Sequence, residues 1–321
     1  MKIKLISTII AGILLAGCGS DDDTPPTQKA TVVYAYDGPV NGLAATYHCD
    51  NGETGTTQNV TDGYGAVTIY NDTFAEHPES CSLTLKVPKK GQAFDMLNNK
   101  EMSNVEYTIP QGYLTNNQRI TASPLTTLLD KAVNESGETN RENIDFDAII
   151  EEIFLALNID PGIVVPSELM NDPKNTLIAL AKTAVNQEDI ALDIAQDITT
   201  QIMVLSDVLT SQVNPTTKNS PKIINTIIDA TNNLSAAIQR DNEFFPNKEF
   251  NKTDEPIYVD FVEDLKQPNV LDDIAKNIIP DDIKKDIETP KDGVKQDPIN
   301  PPVEPTPPTP GTGGGDGGIT D

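Results

Sequence analysis

The sequence predicts an α+β multidomain chain: a small N-terminal antiparallel β-sandwich, then an antiparallel α-helical bundle, then a disordered C-terminal tail. Three observations carry this expectation. Seven of the eight Tyr lie between residues 34 and 113, among short runs separated by turn residues. From residue 121 onward, Leu and Ile recur at helical spacing. From residue 289 to the end, eight Pro and seven Gly crowd 33 residues.

The first element is a leader, residues 1–17. Lys2 and Lys4 form a short positive stretch, and Leu5 to Leu15 is an apolar run of eleven residues. A helix needs about 20 apolar residues to span the hydrocarbon core, so this run fits the hydrophobic region of a secretory signal. Leu15, Ala16, Gly17 and Cys18 follow it. This box resembles that of bacterial lipoproteins. The resemblance implies that Cys18 is diacylated on sulfur, that residues 1–17 are removed, and that the bilayer is a partner through the acylated Cys18. Removing Lys2 and Lys4 moves the net charge from −26 to −28. Gly19, not Asp, follows Cys18. By resemblance to enterobacterial lipoproteins, that implies the outer membrane. Residues 18–29, with Asp21, Asp22, Asp23, Pro25 and Pro26, read as a solvated tether on the cell surface.

Residues 30–112 read as β structure. The runs ATVVYAY (30–36), LAATYHC (43–49), GAVTIY (65–70) and CSLTLKV (81–87) are rich in β-branched residues and Tyr. Turn signals separate them: Asp37-Gly38-Pro39, Asp50-Asn51-Gly52 and Asp62-Gly63. With Cys18 consumed by lipid, Cys49 and Cys81 remain as an even pair in an oxidising compartment, and a disulfide between them is expected. The stretch from Gly38 to Tyr70 also resembles the carboxypeptidase-regulatory-like, transthyretin-like sandwich. Gly38, Val40, Gly42, Ala44, Thr61, Asp62, Gly65 and Val67 occupy its motif positions. The resemblance implies a non-catalytic accessory module of surface and secreted proteins.

Residues 121–245 read as a helical bundle. Ser123 and Pro124 open a helix whose stripe is Leu125, Leu128, Leu129, Ala132 and Val133, and Gly137 stops it. A second stripe runs Phe146, Ile149, Ile150, Ile153, Phe154 and Leu157, ending at Asp160-Pro161-Gly162. Asp172-Pro173 opens a third segment, with Leu177 and Leu180 and then Ile190, Ile194, Ile198, Ile202, Leu205 and Leu209. It bends or breaks near Asn186 to Asp189 and ends at Asn214-Pro215. Ser220-Pro221 opens a fourth, carrying Ile224, Ile227, Ile228, Leu234 and Ile238. Each apolar stripe needs a partner, which an antiparallel bundle supplies. SPLTTLLD (123–130), ALNIDPG (156–162) and NDP (171–173) resemble the helical segment behind the sandwich in gammaproteobacterial surface lipoproteins and adhesins. Asn158 stands where that segment usually has Gly. Residues 246–288 read as short helices and irregular chain, and 289–321 as the Pro/Gly tail.

Composition narrows the function classes. A net charge of −26 argues against nucleic acid and against an anionic membrane surface, both of which need basic patches. Two His, three Cys and no Trp leave little material for a metal or Cys/His site. No P-loop, dinucleotide fingerprint or nucleophile elbow occurs. His48 beside Cys49 reads as a strand residue, since an oxidised Cys has no thiolate. His77 reads as a loop residue. Asp50, Asn51, Glu53 and Asp62 offer oxygens to Ca²⁺ without EF-hand spacing, and residues of this kind form turns. The pairs Glu151/Glu152, Asp272/Asp273 and Asp281/Asp282 read as solvated charge. We therefore expect no catalytic residue, no metal site and no cofactor. The expected function is a non-catalytic envelope lipoprotein, surface-exposed and binding an extracellular protein, glycan or matrix. The alternative is a periplasm-facing lipoprotein with an envelope partner.

Overall fold

The computed structural model describes residues 28–295, apart from 117, 139, 184–189, 213–222, 250, 251 and 253. Cys18, the leader and most of the tether lie outside the described residues, as do the bend near 186–189, the stop at 214–215 and the start at 220–221.

The fold is mixed α and β. The N-terminal part holds β1 (Ala30–Ala35), β2 (Val40–Asn41), β3 (Ala44–Cys49), β4 (Thr54–Thr56) and β5 (Ala66–Tyr70). After the short helix α1 (Asp72–Glu76) come β6 (Cys81–Lys86), β7 (Phe94–Asp95), β8 (Glu106–Ile109) and β9 (Ile120–Ala122). One sheet has the order β4-β3-β6-β8, antiparallel throughout; a second has the order β5-β1-β9. The apolar faces of both sheets meet in one core. Val33, Ala35, Val67 and Ile69 from one sheet join Ala45, Leu83, Leu85 and Ile109 from the other. Period-two alternation produces this: in β6, Cys81, Leu83 and Leu85 are buried while Ser82 and Thr84 are only partly covered.

The expected all-antiparallel arrangement needs one correction. β1 pairs antiparallel with β5, but parallel with β9, with Val33 opposite Ile120. The chain crosses the entire other sheet before β9, so no hairpin dictates the direction in which it returns. β9 also extends the strand-bearing part past residue 112. The motif residues have local jobs here. Thr61 is fully buried; its hydroxyl donates to the Val40 carbonyl at 2.7 Å and accepts from the Leu43 amide at 2.9 Å. Gly42 has φ +100°, and a Cβ there would strike the Gln92 carbonyl.

Nine helices follow: α2 (Pro124–Ser136), α3 (Phe146–Ala156), α4 (Pro166–Asn171), α5 (Pro173–Thr183), α6 (Ile190–Ser211), α7 (Ile223–Asp241), α8 (Val262–Leu265), α9 (Val270–Ala275) and α10 (Asp281–Glu288). That count is of the described residues. α2 begins and ends where its sequence says. The Ser123 hydroxyl accepts from the Thr126 amide at 3.3 Å, and Thr126 Oγ1 accepts from the Ser123 amide at 2.9 Å, closing a capping box. Gly137 ends the helix at φ +70°. α3 closes at Asn158, whose φ of +58° is a conformation Gly or Asn tolerates best. Leu128, Ile150, Ile202, Leu205, Ile227 and Leu234 build the second core. Truncating a residue such as Leu128, fully buried there, to Ala costs about 2–5 kcal/mol.

The expected tail boundary at 289 is also corrected. β10 (Ile257–Tyr258) pairs antiparallel with β11 (Lys291–Asp292). The Gly293 amide donates to the Pro256 carbonyl, and the Val294 amide to the Asn98 carbonyl at 3.0 Å. The open edge of β10 supplies main-chain partners that Pro/Gly composition does not report. Residues 296–321 lie outside the described residues.

Candidate functional site

The seam between the strand-bearing part and the helices holds a group of buried polar and charged side chains. Asp37 lies in the turn after β1, Asp95 ends β7, and Lys100 follows a tight turn at Asn99. Tyr107 is on β8, and Ser206 and Asp207 are on α6. Each of these side chains is at most 7% exposed.

Lys100 Nζ donates to Asp207 Oδ1 at 2.5 Å, and the Phe261 amide donates to Asp207 Oδ2 at 3.0 Å. Tyr107 Oη and Ser206 Oγ are hydrogen-bonded at 2.7 Å. Asp95 Oδ1 accepts from the Leu97 amide at 2.8 Å, and Asp37 Oδ1 from the Gly38 amide at 2.9 Å. Gly38 permits the crowding, because a Cβ there would collide with the Asp95 carboxylate and with Leu97.

Electrostatics follow from burial and neighbours. Burial pushes the Asp95 carboxyl up to about 8, and the nearby Asp37 charge adds to the rise. Burial likewise lifts Asp37 to about 6, against hydrogen bonds from Ser206 and Tyr107 and the charge of Lys100. Burial alone would lower the Lys100 ammonium, yet the carboxylates of Asp207, Asp260 and Asp37 hold it above its ordinary value. Burial and the neighbouring Asp37 charge thus favour the protonated form of Asp95, which reduces the negative charge facing Lys100. Chemically the arrangement is a clamp. It ties a loop of the strand-bearing part to α6 and to the start of α8.

The sequence-derived candidates fall elsewhere. Cys49 and Cys81 are bonded, and they are direct register partners across β3 and β6. His48 is exposed, with Nδ1 2.9 Å from Thr54 Oγ1. His77 Nδ1 is 3.2 Å from Glu79 Oε1, also on the surface. The four Ca²⁺ candidates do not converge. Asp50 accepts from the Gln111 amide group, and Asn51 Oδ1 accepts from the Glu53 amide at 2.9 Å. Glu53 Oε2 accepts from Asn71 Nδ2 at 3.0 Å, while Asp62 Oδ1 caps a separate turn before β5 through the Tyr64 and Ala66 amides. Glu151, Glu152, Asp272, Asp281 and Asp282 are exposed and Asp273 is partly exposed. Among the described residues, no three His, Cys, Asp or Glu side chains are grouped to hold a metal, and no helix is long and apolar enough to cross a membrane.

Sequence reasoning passed over the seam. Asp37 reads as a turn former, and nothing local singles out Lys100. The one available signal was Ser206-Asp207 inside the apolar run Ile202 to Leu209, where a solvated pair has no place.

No protein-family model matches this chain, and no curated protein or solved structure matches it.

Proposed function

We propose that this chain is a non-catalytic, lipid-anchored envelope protein, held in the outer membrane through acylated Cys18 and displayed at the cell surface for adhesion or matrix binding. One observation carries the reading: the leader and Leu-Ala-Gly-Cys box are followed by a bonded Cys49–Cys81 pair. A disulfide belongs to an exported protein, and the box supplies the anchor. We read the two sheets around one core as the sandwich, and α2 to α7 as the bundle standing beside it. The acidic tether and the two motif resemblances support display outward. The high negative charge keeps the displayed domains soluble and apart.

Protease shaving of intact cells, with a periplasmic control protein, tests the reading. Loss of this chain while the control survives places it outside. Survival of both assigns it to the periplasm, and crosslinking for an envelope partner follows. Labelling with radioactive palmitate tests the anchor: Cys18→Ser abolishes incorporation if Cys18 is the acylated residue.

A further inference from the structure

The contact between Lys100 and Asp207 brings together more than two charges. A lysine amine and an aspartic acid held against each other out of water are the two halves of an amide bond. Approach, polarisation and dryness each bear on that reaction.

Lys100 Nζ lies 2.5 Å from Asp207 Oδ1. Asp207 Cγ is one bond beyond that oxygen. A rotation about the last bonds of the lysine brings the nitrogen over the carboxyl carbon, at the about 3–3.5 Å from which a reacting pair proceeds. Main chain fixes both ends. The Asp95 amide donates to the Lys100 carbonyl at 2.9 Å, and the Asn99 amide to the Asp95 carbonyl at 2.7 Å, while Asp207 sits inside α6.

The Phe261 amide donates to Asp207 Oδ2 at 3.0 Å. Oδ2 is the oxygen that takes up negative charge when an amine adds to Cγ. A fixed donor aimed at it stabilises that adduct.

The side chains of Lys100 and Asp207 are 7% and 3% exposed. Burial works against the ammonium and lifts the Asp207 carboxyl, so one proton passed from Nζ to Oδ1 leaves a neutral amine beside a neutral acid. The charges of Asp260 and Asp37 oppose that transfer, and burial weakens the opposition by lifting Asp37.

We propose that Lys100 and Asp207 condense into an intramolecular isopeptide bond, a covalent staple between the strand-bearing part and α6. The ion pair in the structure is the state from which the step starts. Oδ1 takes one proton from Nζ, and the neutral nitrogen adds to Cγ. Oδ1 then takes a second proton from the nitrogen and leaves as water. One N–C bond forms and one C–O bond breaks, and the step needs no oxidant or co-reactant. Oδ2 becomes the amide oxygen, so the Phe261 amide keeps its acceptor. The dry seam excludes the water that hydrolysis of the product requires. The inference rests on the seam alone and is independent of anchoring and of cell-surface display. Variants that replace Lys100 lack the bond, so stability comparisons among them report charge and packing.

Mass spectrometry of a tryptic digest of the purified full-length chain, reduced and alkylated, tests the bond. We expect a branched species in which residues 91–119 and 183–218 are joined, lighter by one water than the two peptides together. Trypsin should not cut after Lys100, because the amide removes the charge it reads. Lys100→Arg keeps a cation that does not acylate, and Asp207→Ala removes the acid. Both should lose the branched species and run more slowly than the parent on a reducing denaturing gel, because the loop between the two residues is no longer closed. Recovery of the parent's peptides 91–100, 101–119 and 183–218 as separate species overturns the proposal, as does equal gel mobility of the parent and both variants. The parent's own digest is decisive, so poor folding of a variant does not obscure the result.

Discussion

Lys100 and Asp207 form a buried ion pair at 2.5 Å although 107 residues separate them in the chain. Lys100 belongs to the strand-bearing part and Asp207 to α6, the longest helix among the described residues, so one contact joins the two parts. Desolvating both charges is costly, and the pair is tolerated because the Phe261 amide also serves Asp207.

Removing one partner should therefore hurt more than removing both. Lys100→Met leaves Asp207 buried and unpaired, and should destabilise by about 3–5 kcal/mol. Lys100→Met with Asp207→Leu should recover much of that loss. Urea unfolding of the single and double variants checks it. Equal destabilisation by both would show that the pair is not coupled.

Stability should fall as pH rises through the range that Asp37 and Asp95 define. Their folded values stand at about 6 and about 8, against an ordinary 3.8. Between those limits the folded chain holds protons that the unfolded chain has released. The contribution is complete below about pH 4 and is lost as pH climbs through 6 and then 8. For one proton the slope is about 1.4 kcal/mol per pH unit. Asp95→Asn should flatten the upper part of the curve, measured as unfolding free energy from pH 5.5 to 8.5.

The Cys49–Cys81 bond closes a loop with a sequence separation of 32. Replacing both by Ala should cost about 3–4 kcal/mol, mostly through a freer unfolded chain. Calorimetry with and without reductant checks this: reductant should lower the parent's melting temperature and leave the double variant's unchanged.

Ser123→Ala should cost about 0.5–2 kcal/mol. It leaves the Thr126 amide without its cap at the point where β9 turns into α2. Ser123→Gly should cost less than Ala does, and thermal unfolding of the two variants provides the comparison.

Charge repulsion in a chain of net charge −26 should make the fold more stable at seawater ionic strength than in dilute buffer. Equal melting temperatures in the two buffers would refute that.

Local signals were the legible ones. Ser123, Pro124 and Gly137 mark α2 because capping and left-handed conformations act within one turn of chain. The strand runs 30–36, 43–49, 65–70 and 81–87 mark β1, β3, β5 and β6 because alternation is a local property. α4 was not legible: its residues Pro166–Asn171 are too few to show a period. β9 and β11 were missed for a related reason. Each is two or three residues long, and its partner lies far away in sequence.

The sequence by itself determined the short-range elements, the pairing of Cys49 with Cys81 and the strong negative charge. Only the tertiary structure decided the parallel β1–β9 pairing and the clamp at the seam. Asp207 shows why. In sequence it is one carboxylate among 49 acidic residues. Its role depends on which side of α6 meets Lys100, and so on how the two cores pack. Packing joins residues a hundred positions apart through burial and dielectric, and neither property can be read from neighbours along the chain.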